Sequence, residues 1–340
     1  MVMASIGNGR PAPSFNNGTA PSLRAGSLVV EAIGLSKSYG GRLALDSVTL
    51  RIRAGEIAGL LGPNGAGKTT TLSILATLLR PDSGELRIAG VDPRCDAASI
   101  RHKLGFVPQS IALFPSLSPL QNLELFARVH GLAKRQARAA AIRMLEMVGL
   151  AERARDPVAI LSGGMNRRLN LACAMVHSPE LLLLDEPTTG VDPQSRERIF
   201  ATVRKAAAAG AAVIYSTHYM EEAERLCDRL LLIDHGRLVA DGTVSELIAL
   251  GGTQARMEIA FQTEPPTGWL KGMRGISELP TQSAVSKTIL PLANLNQAGE
   301  VLERARTLGA HVLEFSVHRP NLSDAFITLT GHALRDPEPQ

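Results

Sequence analysis

The hydrophobic positions of this chain change period several times, and each change marks an element. Residues 1–27 are rich in Gly, Pro, Ser and Asn, with almost no apolar periodicity. Such a segment cannot bury enough surface to offset its ordering entropy, so a disordered tail is expected there. Two β-like runs follow at 28–33 and 43–52, the second alternating apolar with polar residues. Residues 56–61 form a nearly continuous apolar run, the pattern of a strand buried on both faces. A glycine-rich stretch then leads into a helical pattern over 70–79, closed by Arg80-Pro81.

From about 115 to 155 the apolar residues recur at helical spacing (Leu120, Leu123 and Phe126, then Ile142, Leu145 and Val148), which predicts a helical insertion. Strand-like runs at 181–184, 212–215 and 230–233 then alternate with helical ones at 196–209 and 220–226. That alternation predicts a mostly parallel sheet flanked by helices. Gly251-Gly252 breaks the pattern. Beyond it, strands at 257–261, 287–290 and 311–317 and helices at 293–308 and 324–329 predict a small α+β appendage over 251–331, with a loose tail over 332–340.

Composition changes this picture little. The 340 residues are 45% hydrophobic and 20% charged, with 36 basic against 32 acidic side chains and a net charge of +4. That excess is too small to argue for nucleic acid, and the basic stretch Lys134, Arg135, Arg138 and Arg143 lacks aromatic stacking partners and reads as a solvated helix face. Cys95, Cys173 and Cys227 are far apart and lack metal-ligand spacing, which fits reduced thiols. No apolar run approaches the roughly 18 residues of a membrane span, and no basic region followed by an apolar one suggests a signal peptide. A soluble protein is expected, with any membrane role supplied through a partner.

The chemistry begins at Gly62-Pro63-Asn64-Gly65-Ala66-Gly67-Lys68-Thr69, followed by Thr70. It fits GxxxxGK[ST], between a buried strand and a helix as that motif requires. Glycines let backbone N–H groups turn toward phosphate oxygens, and the helix N-terminus adds a positive dipole end. Lys68 can reach the β- and γ-phosphates, and the Thr69 hydroxyl can ligate magnesium. Further on, the apolar run 181–184 ends in Asp185-Glu186. An acid at the end of a buried strand can hold magnesium, and a second beside it can polarise an attacking water. Leu161-Ser162-Gly163-Gly164 places an N-capping serine and two glycines at the start of another helix, a second anion-binding helix end in one chain.

Leu161-Ser162-Gly163-Gly164 followed by an apolar strand and Asp-Glu resembles the ATP-binding cassette (ABC) ATPases, over roughly residues 28–250. The resemblance implies a P-loop α/β cassette with a helical subdomain over about 110–178, binding ATP and Mg2+. It also implies roles. Tyr39, in Lys37-Ser38-Tyr39-Gly40, would stack on adenine, and Gln109, in Phe106-Val107-Pro108-Gln109, would contact magnesium and water. Asp192, in Gly190-Val191-Asp192, would lie at a dimer interface, and His218, after Ser216-Thr217, would sit near the γ-phosphate. Ser162, Gly163 and Gly164 would cap the γ-phosphate held by a second copy. One position departs from the family: Met165 stands where the signature usually carries Gln, which bears on contacts from that position alone.

The runs around Ser162, Thr188 and His218, and the ending Arg319-Pro320-Asn321-Leu322, are similar to the ABC-2 branch of drug-resistance, polysaccharide and lipid exporter ATPases. That similarity implies a homodimer driving a separate transmembrane permease from the cytoplasmic face of the membrane. A non-transport ABC ATPase acting on ribosomes or nucleic acid is the alternative, set back by the single cassette and the lack of a long coiled coil. A solitary P-loop kinase or GTPase is disfavoured by the signature run.

Overall fold

The computed structural model describes residues 26–252, 254–262, 269–270, 273, 287–292 and 294–333. Of the tails expected over 1–27 and 332–340, all but residues 26–27 and 332–333 lie outside the described residues, as does Ala293 at the start of an expected helix. The chain divides into two compact units, the first ending at Asp241 and the second running from Gly242.

The first unit opens with β1 (Leu28–Tyr39) and β2 (Arg42–Arg53), an antiparallel pair that β4 (Ser83–Ile88) joins on the other side of β1. β1 extends beyond the expected 28–33 because register shifts after Ala32 and Leu35 break its alternation. Between β2 and β4 come β3 (Ile57–Leu61) and α1 (Lys68–Leu75). The helix stops short of the expected 79, and Thr77 has turned to a left-handed φ of 59°. α2 (Pro93–His102), capped by Asp92, leads to the short β5 (Leu104–Val107).

The helical segment follows as α3 (Pro119–Val129), α4 (Lys134–Met147) and α5 (Gly163–Met175). β6 (Leu181–Asp185), α6 (Pro193–Ala208), β7 (Ala212–Thr217), α7 (Met220–Leu226), β8 (Arg229–Asp234) and β9 (Arg237–Gly242) complete this unit.

Six strands form the main sheet in the order β5-β6-β7-β3-β8-β9, and every pairing from β5 through β8 is parallel. The continuous apolar runs are explained by its two covered faces. Leu182, Leu184, Val213 and Tyr215 point into a core shared with α5 and α6, while Leu181, Leu183, Ala212 and Ile214 point into one shared with α1 and the β1–β2–β4 sheet. In-register pairing sets Leu61 beside Thr217 and Asp185 beside Ser216. The C-terminal ends of β3, β7 and β6 therefore lie side by side, and β5 ends two residues before Gln109 at the same edge.

The second unit contains α8 (Val244–Leu250), β10 (Ala255–Phe261), β11 (Lys287–Leu292), α9 (Asn296–Thr307), β12 (Val312–His318) and α10 (Leu322–Thr330). Its antiparallel sheet has the order β11-β10-β12 and shares a core with Val301 and Ala305 of α9. The division falls earlier than the break expected at Gly251-Gly252. The reason is packing: α8 lies against α10, so closely that a Cβ on Gly251 would come within 2.7 Å of the Ala325 Cα.

Candidate nucleotide site

Gly62 to Gly67 fill the turn between β3 and α1, with Ala66 buried and Asn64 and Gly65 exposed. Gly67 is the N-cap of α1 at φ +106°, and an added Cβ would meet the Ala44 carbonyl oxygen at 2.8 Å. Only glycine holds that position. The buried Lys68 ammonium donates to the carbonyls of Gly62 (2.7 Å) and Pro63 (3.1 Å) and lies 3.4 Å from the Glu186 carboxylate. Burial holds its pKa below the usual lysine value, against the pull of Glu186 and Asp185. Thr69 and Thr70 follow in the first turn, Thr69 exposed.

Asp185 closes β6, almost fully buried, and accepts a hydrogen bond of 2.7 Å from the Ser216 hydroxyl. Glu186 leaves the strand with a left-handed φ of 46°, its N–H donating to the Ser216 carbonyl (3.2 Å) and hydroxyl (3.1 Å). One carboxylate oxygen takes His218 Nδ1 at 3.0 Å; the other takes Gln109 Nε2 at 3.2 Å and the Thr189 hydroxyl at 3.4 Å. Burial alone would raise the pKa of this carboxyl, but the hydrogen bond and charge of His218, with Lys68, hold it below the usual glutamate value. Glu186 is thus kept ionised. His218 Nε2 is buried and has no hydrogen-bond partner among the described residues.

Tyr39 ends β1 half exposed, with Lys37 Nζ 5.9 Å from its ring centroid. Ser162 caps α5, its hydroxyl accepting from Met165 N at 3.3 Å. Gly164 has no room for a side chain, because a Cβ would meet Ser195 Oγ at 2.4 Å and Asp192 Oδ2 at 2.7 Å. Asp192 in turn caps α6, accepting from Ser195 N at 2.8 Å. The structure therefore makes two clusters. Lys68, Gln109, Asp185, Glu186 and His218 converge at the sheet edge, while Ser162, Gly163, Gly164 and Asp192 gather where α5 and α6 begin.

Sequence reasoning missed Ser216, which fastens both acids, because a serine at a strand end carries no period of its own. It also missed Arg167, whose guanidinium donates to the Gln109 carbonyl, and Asn170, whose Oδ1 accepts from Ala112 N at 3.3 Å. These two lie one turn apart on α5 and fasten the segment after β5 to the helix that Ser162 caps. Two polar residues at i and i+3 on a helix otherwise buried along Leu169, Ala172 and Cys173 were the available signal.

The site is that of a P-loop ATPase, with a second glycine-opened helix start at Ser162. Residues 45–189 match the ABC transporter family. The chain is 38% identical over 311 residues to the linearmycin resistance ATP-binding protein LnrL of Bacillus subtilis, covering 91% of this chain and 100% of that protein. It is also 38% identical over 325 residues to the Nod factor export ATP-binding protein I of Ralstonia nicotianae, covering 91% of this chain and 95% of that one. A dimeric ATP-binding cassette solved in a post-hydrolysis state with ADP and phosphate superposes with a TM-score of 0.59 and 29% identity, covering 63% of this chain and 98% of its own. The chain belongs to the ABC transporter ATP-binding proteins, in their exporter branch: an ATP-binding, ATP-hydrolysing subunit. No helix among the described residues is long and apolar enough to cross a membrane.

Proposed function

We propose that two copies of this chain close around two ATP molecules and drive a separate transmembrane permease from the cytoplasmic side of the membrane. In each site one copy supplies Tyr39, the loop from Gly62 to Thr70, Gln109, Asp185, Glu186 and His218, and the other supplies Ser162, Gly163, Gly164 and Asp192. One observation carries this reading. Gly163 has an ordinary helical φ, and a Cβ added there would meet nothing within 4 Å. Neither backbone conformation nor packing within the chain calls for glycine, whereas close approach of a group from outside does. Its place at the first turn of α5 suits a phosphate.

The chemistry follows from the first cluster. Lys68 exchanges the Gly62 and Pro63 carbonyls for phosphate oxygens. Glu186, ionised and held on both oxygens, orients and polarises the attacking water, and the unpartnered His218 Nε2 is free for the γ-phosphate. The Thr69 hydroxyl, the Asp185 carboxylate and the Gln109 side-chain oxygen are hard donors that fit Mg2+, which supplies charge neutralisation at the phosphates. Contacts made only in the closed pair make ATP a ligand selective for that state. Moving such an equilibrium from 1:99 to 99:1 takes about 5.5 kcal/mol of differential binding. Hydrolysis removes those contacts and reopens the pair.

Glu186→Gln tests this. The amide keeps the shape but cannot act as a base, so with ATP the 36.1 kDa chain should elute from a sizing column as a stable dimer with turnover almost abolished. A monomer at saturating ATP would sink the two-copy reading.

A further inference from the structure

Among the buried carboxylates of the described residues that the mechanism above leaves unused, one stands on α7. Glu222, on α7, is almost fully buried, and an ionised carboxylate so placed needs donors on every side. One oxygen accepts from the hydroxyls of Thr188 (2.8 Å), Tyr215 (2.9 Å) and Thr217 (3.1 Å). The other lies 3.3 Å from Arg196 Nε, an ion pair not aligned as a hydrogen bond. These four partners come from the loop after β6, from β7 and from α6, so one side chain fastens three elements to α7.

What those partners hold is more telling. Thr217 Oγ1, while donating to Glu222, accepts from Tyr219 N at 2.9 Å, so the residues on both sides of His218 are tied to each other and to the carboxylate. On the other arm, the Thr188 carbonyl accepts from Val191 N at 3.2 Å and Arg196 N donates to the Asp192 carbonyl at 3.0 Å. Glu222 thus grips both ends of the segment that carries Gly190 to Asp192.

We infer that Glu222 is a positioning residue that fixes His218 against Glu186 and makes that histidine and the Asp192 segment move as one body. The inference rests on the two-copy reading for the meaning of Asp192 but not for the alignment of His218. It assigns to Glu222 the task of passing the state of the γ-phosphate contact to the edge of the chain that meets the second copy.

A double-mutant cycle on the full-length chain tests it. Glu222→Gln keeps volume and loses charge; Thr217→Val keeps shape and loses the hydroxyl that joins the two flanks of His218. Each should lower kcat about tenfold or more while the Kd for a fluorescent ATP analogue stays within about twofold, and the double variant should lose no more than the worse single. Additive losses, or a kcat equal to wild type in folded Thr217→Val, would overturn the inference. Thr217→Val alone decides the matter where Glu222→Gln does not fold. The cycle is read on turnover, so it stands or falls whether or not the Glu186→Gln dimer forms.

Discussion

Glu186 carries the site's clearest mark of strain. A non-glycine residue at φ 46° costs of order 1–3 kcal/mol, and here its N–H is pinned to both oxygens of Ser216 while four side chains surround its carboxylate. Those contacts hold the residue in a backbone conformation it would not adopt alone. Gly163 is the opposite case: nothing in the chain constrains it. Replacing it with aspartate should therefore leave the fold unharmed, since an acid in the first turn of α5 favours the helix by about 0.3–1 kcal/mol. ATP binding by the lone chain should persist, while ATP-driven dimerisation and turnover should collapse because a carboxylate would stand where phosphate is to be received. Thermal unfolding, nucleotide titration and ATPase assays on one preparation check the three limbs. A Gly163→Asp chain that turns over normally would remove the reason for glycine given above.

At the scale of elements, much of the cassette was legible because its strands and helices obey their periods. The all-buried runs of β3, β6 and β7 announced a sheet covered on both faces, and Ser162 announced the start of α5. What escaped had physical reasons. β4 is exposed along its first half, β5 is only four residues long, and α2 starts at a proline and carries a single buried residue. The cluster at the sheet edge was legible as residues but not as contacts, since no spacing reveals that Gln109 reaches Glu186 or that Arg167 holds the Gln109 carbonyl.

A pair of stacked histidines was also invisible. His130, the C-cap of α3, lies 3.6 Å from His177, just past α5, with the rings 2° from parallel, and His102 meets His130 edge-on at 6.4 Å. His177 Nε2–H donates to the Leu104 carbonyl at 3.2 Å, and its buried Nδ1 has no hydrogen-bond partner among the described residues, as suits a neutral ring. Burial and the neighbouring His130 push its pKa down to about 3, and burial with His102 lowers that of His130. Both folded-state pKa values lie below the unfolded one near 6.5, so the unfolded chain binds more protons under mild acid. The contribution of His177 is therefore complete above about pH 6.5 and falls on acidification toward its folded-state pKa, by about 1.4 kcal/mol per pH unit, with His130 adding in the same direction. His177→Phe keeps an aromatic ring for the stack and should flatten the fall between pH 6 and 4, as measured by urea unfolding, by close to one proton. Parallel pH profiles for variant and wild type would refute that account.

For the whole molecule, the two units are built on separate cores. Val301 of α9, fully buried, packs with Met257, Ile259 and Leu290, and none of these belongs to the cores that enclose the nucleotide site. All the proposed nucleotide ligands lie before Asp241. The helical period of α9 and the alternation of β10 point to this second core from the sequence, whereas the seven residues of α8 carry no signal of their packing on α10. Val301→Asp would bury an unpaired carboxylate in that core, a change that costs several kcal/mol and that only local unfolding relieves. It should therefore melt the second unit early, giving a thermal transition that splits in two, while the Kd for a fluorescent ATP analogue stays within about threefold of wild type. Loss of ATP binding in step with the first transition would mean that the cassette depends on the second core, and that the two units are one cooperative body.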